Sequence, residues 1–302
     1  MAPDDFNPQV GKPVTLAPAL RRILAPNPSP MTYRGTNTYL LGERDIAVID
    51  PGPESDTHLA AIMAACTPLQ RITQILVTHS HVDHSPLAKR LSQTTGAPIL
   101  AYGPSDAGRS DAMKACLEAG MQGGGEGIDI AFRPDILMGD GEQISAGDQT
   151  ITAWHTPGHM GNHMCFAWKE AVFCGDLVMG WASSLVSPPN GDLTDFMASC
   201  EKLQRLDAHV LHSGHGAPIT DPKSRLEWLI GHRKSREAQI IQQLSLAPAT
   251  AGTIAAEIYS ETPAALLPAA TRNVFAHLID LEGKNIATRM GAPTDFAIFK
   301  LL

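Results

Sequence analysis

The chain has 302 residues, enough for one large domain with a small one or for two of medium size. Hydrophobic residues make up 43% and charged residues 18%, ordinary globular usage, and no apolar run reaches the roughly 18 residues of a membrane helix. The formal charge of −8 excludes a global attraction to nucleic acid or to anionic membranes.

Met1 to Pro18 carries aspartates and prolines and no basic-then-apolar pattern, so no signal peptide is expected and the expected compartment is the cytoplasm. Residues 36–50 predict two short strands around a turn at Gly42 to Asp45, and Pro51-Gly52-Pro53 then breaks the chain. A helix is expected over 56–66. Ile75-Leu76-Val77-Thr78 predicts a buried strand. Ser85-Pro86 supplies an N-cap and a first-turn proline for a helix that runs to Thr95 and stops at Gly96. A strand at 99–102 completes a βαβ pattern. Residues 103–128, ending in Gly123-Gly124-Gly125, predict a mobile insertion with one helix. Strands are expected at 150–155, 164–169, 171–175 and 208–212, with a helix at 194–206 and a long Arg- and Lys-rich helix from Pro222 to Leu244. After the composition break at Ala247-Pro248-Ala249-Thr250, helices at 252–259, 263–270 and 271–283 precede a hairpin over 286–302. That is the outline of a winged helix, so the expected division is 1–244 and 245–302. Cys66, Cys116, Cys165, Cys174 and Cys200 are odd in number and form no Cys-x-x-Cys pair, which argues against a disulfide framework and a cysteine-type zinc site.

The chemistry concentrates at strand ends. His79-Ser80-His81-Val82-Asp83-His84 follows the Ile75 to Thr78 strand directly. Side chains two apart on an extended chain point the same way, so His79 and His81 can reach one metal together. The turn after them aims Asp83 and His84 toward a second position. Strand-to-helix loops are where sites collect in α/β sheets. Thr156-Pro157-Gly158-His159, Phe173-Cys174-Gly175-Asp176 and Leu211-His212-Ser213-Gly214-His215-Gly216 each add an imidazole or a carboxylate just past another apolar strand. A single His or Asp there is usually a turn residue. Four such loops with seven N and O donors point to a metal site. Cys174 reads as a buried small hydrophobe. His155, His163 and His212 read as packing or support.

In this order, these four blocks resemble the metallo-β-lactamase superfamily over about residues 15–230. The resemblance implies an α/β fold, a four-layer αββα sandwich with the site at one edge of the two sheets. It implies that His79, His81 and His159 hold one divalent metal, that Asp83, His84 and His215 hold a second, and that Asp176 bridges them. Imidazole and carboxylate without thiolate suit zinc, with iron or manganese as alternatives. Such a pair activates water for attack on carbon or phosphorus, and Asp83 is placed to orient that water or take its proton.

Asp176 argues against β-lactam hydrolysis, because antibiotic-hydrolysing members generally lack an aspartate in that role. Glyoxalase II enzymes have Gly-His-Glu where this chain has Gly-His-Gly, and a different helical tail. Gly35-Thr36-Asn37-Thr38-Tyr39-Leu40, the run Ser213 to Ile219 and His232-Arg233-Lys234-Ser235-Arg236-Glu237 resemble the beta-lactamase-like protein 2 group, whose animal members are similar to single-strand RNA endonucleases. That resemblance raises a phosphodiester substrate, with a thioester or lactone as the alternative. Asn37 is then a candidate substrate contact. Lys223, Arg225, Arg233, Lys234 and Arg236 form a candidate phosphate-tracking stripe, in which Arg233 and Lys234 are the leading residues. The tail opposes this reading: residues 245–302 have four basic and five acidic side chains, whereas nucleic-acid modules are usually basic. A non-enzyme alternative is a winged-helix binding protein with structural metals.

Overall fold

The computed structural model describes residues 5–123 and 127–302; Met1–Asp4 and Gly124-Gly125-Glu126, the end of the glycine run and the residue after it, lie outside them. A hairpin of β1 (Val14–Ala17) and β2 (Leu20–Leu24) comes first. Sequence reading missed it because Arg21 and Arg22 interrupt its apolar pattern and its turn places a non-glycine, Ala19, at φ +64°. β3 (Asn37–Leu41) and β4 (Asp45–Ile49) are the predicted antiparallel pair. Helix α1 (Asp56–Ala64) starts at Ser55, whose hydroxyl accepts from the His58 N–H at 3.2 Å. β5 (Arg71–Leu76), α2 (Leu87–Thr95) and β6 (Ile99–Ala101) form the βαβ unit, with β5 and β6 parallel. The expected Ser85 cap is absent. Its hydroxyl donates to Asp129 Oδ2 at 2.8 Å instead, and α2 starts behind Pro86 with no side-chain cap. Then follow α3 (Asp111–Glu118), β7 (Ile136–Leu137), β8 (Gln143–Ala146), β9 (Gln149–His155), β10 (Met164–Trp168) and β11 (Ala171–Gly175). Helix α4 (Leu193–Gln204), β12 (Val210–Ser213) and α5 (Pro222–Leu246) complete the sandwich.

The first seven strands form one sheet in sequence order, and β12-β11-β10-β9-β8 form the second. Period-two alternation assigns the layers. Tyr39, Leu41, Ala47, Ile49 and Leu76 face inward against Phe166, Trp168 and Phe173 of the other sheet. Their neighbours Leu40, Ile46, Val48 and Ile75 face outward against Ile62 of α1 and Leu87 and Leu91 of α2. On the far side Val172 and Cys174 meet Phe196 and Leu203 of α4 and Leu229 of α5. The product is the four-layer αββα sandwich.

The tail is a winged helix: α6 (Ala251–Ile258), a 3-10 turn, α7 (Leu267–Gly283) and the antiparallel strands β13 (Ala287–Met290) and β14 (Ile298–Leu301). The two helices expected at 263–270 and 271–283 are one, α7. Pro268 sits in its first turn, where no N–H is needed, so it opens the helix instead of breaking it. The tail core of Ile254, Val274, Phe275 and Phe299 takes in Ile240 and Leu244 of α5 and Met113 and Cys116 of α3. Helix α5 ends at Leu246, just before the composition break, and its last turns pack into the tail core. Within the described part of 103–128, Met113, Cys116 and Met121 pack into this core. Among the described residues no helix is long and apolar enough to cross a membrane.

Candidate metal centre

β4, β5, β11 and β12 all end at one edge of the sandwich, within two parallel pairs, and their trailing loops converge there. The two sheets are joined at this edge by main-chain bonds, Asn37 N–H to Gly214 O at 2.7 Å and Met164 N–H to Thr78 O at 2.7 Å. Local sequence permits the close approach. A Cβ on Gly214 would lie 2.4 Å from Asp176 Oδ1 and 2.6 Å from His84 Cε1. A Cβ on Gly158, at φ +135°, would lie 2.2 Å from the Phe196 Cα.

Among the described residues, two groups could each hold a metal ion: His79, His81 and His159, and Asp83, His84, Asp176 and His215, with donor atoms within 4.8 Å of one another in each group. In the first, His81 Nδ1 is 2.9 Å from His79 Nε2 and 3.0 Å from His159 Nε2. In the second, His215 Nε2 is 3.1 Å from Asp83 Oδ2 and 3.3 Å from Asp176 Oδ2. Asp176 lies between the groups, its Oδ2 also 3.8 Å from His159 Nε2.

The donors are turned inward by what their other atoms touch. The Nδ1 of His159 faces Leu185 O at 2.7 Å and that of His215 faces Gly35 O at 3.2 Å. A carbonyl only accepts, so each Nδ1 carries a proton and each Nε2 is left to face the cluster. Asp50 orients two more. Its carboxylate accepts from the Thr78 N–H and hydroxyl, both at 2.7 Å, and from His84 Nδ1 at 2.8 Å. The Thr78 hydroxyl, having donated to Asp50, accepts from His79 Nδ1 at 3.0 Å. One carboxylate thus fixes a histidine in each group. Sequence reading missed Asp50. Its one signal is a polar residue closing an apolar strand before Pro51-Gly52, at φ +51°.

The electrostatics fit a cation. Burial, then repulsion from the neighbouring imidazoles, holds His79 well below its ordinary value, and burial with His159 lowers His81 to about 3. Both are neutral donors. In the second group burial opposes protonation, but Asp176 and Asp83 outweigh it and raise His215 to about 9; the carboxylates likewise hold His84 well up. Burial also opposes ionisation of Asp83 and Asp176, yet His84 and His215 keep both below the usual carboxylate range. Ionised carboxylates and a buried Asp176 Oδ1 with no hydrogen-bond donor suit the second group to a positive charge, which a metal ion would supply in place of the imidazole protons.

The other candidates sit elsewhere. Asn37 is buried and donates to Ser213 O at 3.1 Å and Gly216 O at 2.9 Å, so it braces the His215 loop and does not face substrate. The basic stripe does not exist as a surface. Arg233 is 2% exposed and donates to Ser184 O and, at 3.0 Å, to Asn273 Oδ1. Arg225 is engaged with Met179 O at 2.7 Å and Ala182 O at 2.6 Å. Lys223 and Lys234 are exposed. At about 100° per residue these five positions spread over about half the helix circumference, so they form no single narrow stripe. Cys174 is fully buried, its thiol donating to Val178 O at 3.2 Å. His155 stacks on Tyr102 with ring centroids 3.7 Å apart, and His212 packs against Phe173 and Tyr39. His163 is buried beside His79, with Nδ1 2.9 Å from the Thr156 hydroxyl.

A cleft of about 820 Å³ opens over the cluster, with His81, Asp83, His159 and Asp176 on its floor. Its walls are largely apolar, and one of them comes from the tail.

Comparison with known proteins agrees with this architecture. Residues 31–215 match the model of the metallo-beta-lactamase superfamily, and residues 250–293 match the beta-lactamase associated winged helix domain. A beta-lactamase-like protein 2 homolog from Drosophila melanogaster is 31% identical over 94% of this chain and 95% of its own length. An atrochrysone carboxyl ACP thioesterase from Aspergillus fumigatus is 32% identical over 76% of this chain and 66% of its own. The fold is shared with a beta-lactamase domain protein from Burkholderia ambifaria, at a TM-score of 0.79 and 20% identity, covering 99% of this chain and 96% of that one. The chain belongs to the metallo-beta-lactamase superfamily of hydrolases, in its branch with an associated winged helix.

Proposed function

We propose that this protein is a dinuclear metal-dependent hydrolase that cleaves acyl thioesters. The observation that carries the reading is the cleft: an apolar-walled space whose floor is the two ligand groups. His79, His81 and His159 would hold one ion and Asp83, His84 and His215 the other, with Asp176 between the two groups. Two such ions, zinc in this reading, supply Lewis acidity and activate water at neutral pH. The chain supplies the rest. Asp83 stays ionised because His84 and His215 face it, and its side chain, 21% exposed, reaches the cleft, so it accepts the proton of the attacking water. Asp50, Thr78, Leu185 O and Gly35 O keep the imidazoles turned inward. The named activity of the Aspergillus relative supports the thioester class. The single-strand RNA expectation has lost the polyanion-holding stripe that supported it, because Arg233 is interior. A purely structural role for the metals leaves the cleft above them without a purpose. The five cysteines, all free thiols, suit the reducing cytoplasm.

The test is a panel on metal-loaded protein: acyl thioesters, lactones, bis-p-nitrophenyl phosphate, single-stranded RNA and a cephalosporin. Thioesters are expected to turn over, with metal analysis giving up to two ions per chain. Asp176→Ala should lose hydrolysis and at least one ion. Cys174→Ala should keep both. Cleavage of RNA or the phosphodiester with every thioester untouched overturns the substrate class; Cys174→Ala losing metal while Asp176→Ala keeps it overturns the site.

A further inference from the structure

We propose that the winged-helix tail is the specificity wall of the cleft, and that its wing loop, through Phe296, binds a long apolar acyl chain of the substrate. The proposal rests on the hydrolase reading above and adds the substrate's chemistry and the residues that select it.

Three large apolar side chains ring the cleft from separate segments: Met31 at 47% exposure, Val82 at 45% and Phe296 at 83%. A lone exposed hydrophobe is ordinary. Three converging above one ligand cluster mark a binding surface. Ala265 and Pro268, just before and within the first turn of α7, continue the tail's side of it. A space of about 820 Å³ is far larger than an acetyl group needs and lies in the range that encloses a drug-sized ligand.

Phe296 is held in place over the cleft. Its neighbour Ala297 is buried, with its N–H on Thr294 O at 3.0 Å, and Phe299 two residues on is in the tail core. On its other side Asp295 Oδ2 lies 3.8 Å from a guanidinium nitrogen of Arg272. The chain is thus anchored before and after Phe296, and its ring, largely exposed, borders the cleft. Helix α7 is itself tied to the sandwich. Arg272 donates to the Ser187 hydroxyl at 2.9 Å and to Pro188 O, and Asn273 Oδ1 accepts from the Val186 N–H at 3.0 Å. The same 184–188 segment supplies Leu185 O to the ligand His159. The wall and the metal floor therefore share one support, so the tail has a fixed distance to the reacting centre. The charged pair on this wall, Arg272 and Asp295, face one another, which leaves the apolar surface to a neutral chain.

The test uses N-acetylcysteamine thioesters from acetyl to decanoyl on the metal-loaded full chain. A methylene that leaves water contributes about a fourfold gain, so kcat/KM should climb by about that factor per added methylene until the cleft is filled. Phe296→Asp, at a mostly exposed position, and Ala265→Trp, which fills the cleft, should each cut the decanoyl-to-acetyl ratio about tenfold. Leu69→Asp, on an equally exposed leucine at 83%, should leave the ratio alone. Calorimetry with the decyl thioether of N-acetylcysteamine, which cannot be hydrolysed, should show the same two losses. A flat chain-length profile in an active thioesterase overturns the acyl-wall proposal and leaves the hydrolase reading standing. Tight, Phe296-dependent binding of the thioether with no thioester cleaved does the reverse.

Discussion

Asp50 bears on both halves of the cluster from a position with no ligand motif around it. Through Thr78 it sets His79, and directly it sets His84. The donors themselves were legible because they stand in dense blocks with a two-residue repeat. Asp50 was not, because its role depends on β4 and β5 lying side by side, and that neighbourhood is tertiary. Replacing it tests the role. Asp50→Asn keeps the shape and can still accept from one donor, but it removes the charge that holds the His84 Nδ1 proton. Metal affinity should fall by about 10- to 100-fold, read by competition with a chelator, while the unfolding midpoint of the metal-free protein changes far less. Unchanged affinity would mean that the imidazoles orient themselves without it.

At the scale of elements, α5 shows how a charge pattern misleads. Its cations suggested a phosphate-tracking face, yet Arg233 passes inward between the sandwich and α7. Its guanidinium there meets Ser184 O, Asn273 Oδ1 and the Phe196 ring, whose centroid is 5.1 Å away. Arginine can cross a packed interface because its fork satisfies several acceptors at once. Arg233→Ala should leave a cavity and orphaned carbonyls, costing about 3 kcal/mol of stability in urea unfolding. Lys234→Ala, at the exposed neighbour, should stay within about 0.5 kcal/mol. Similar small effects for both would return Arg233 to the surface. The strands behaved more simply. Where both faces are buried or alternate cleanly, as in β3 to β5 and β9 to β11, sequence placed them to within a few residues. It failed at β1, β2, β7 and β8, which are short or broken by polar residues.

The whole molecule carries buried neutral histidines that tie stability to pH. Burial lowers His58 to about 4, and burial with repulsion from Arg22 lowers His212 to about 4. Both lie below the ordinary value of about 6.5, so between those limits the unfolded chain binds more protons than the folded one. Their contribution is complete above pH 6.5 and is lost as pH falls toward 4, on the order of 3 kcal/mol each in full. The thermal midpoint of the metal-free protein should therefore drop steeply across this window. His58→Gln should flatten part of the drop, since glutamine can still donate to the Thr38 hydroxyl, which faces His58 Nε2 at 2.8 Å. A slope identical in the variant would exclude His58 as its source.

From the amino-acid sequence alone came most of the strands and helices, the superfamily and the seven candidate donors. All of these rest on local periodicity or on short motifs, which survive without knowledge of neighbours. Three matters were decided only by the tertiary structure. Asp50 and Asn37 became supports of the cluster because strands distant in sequence end at one edge. The basic stripe vanished because helical geometry and packing at the α7 junction turned Arg233 inward. The tail, read as a separate module, became a wall of the cleft because α5 runs unbroken into its core and Arg272 and Asn273 fasten it beside the floor. In each case the deciding term is contact between residues far apart in the chain, which periodicity and motif spacing do not contain.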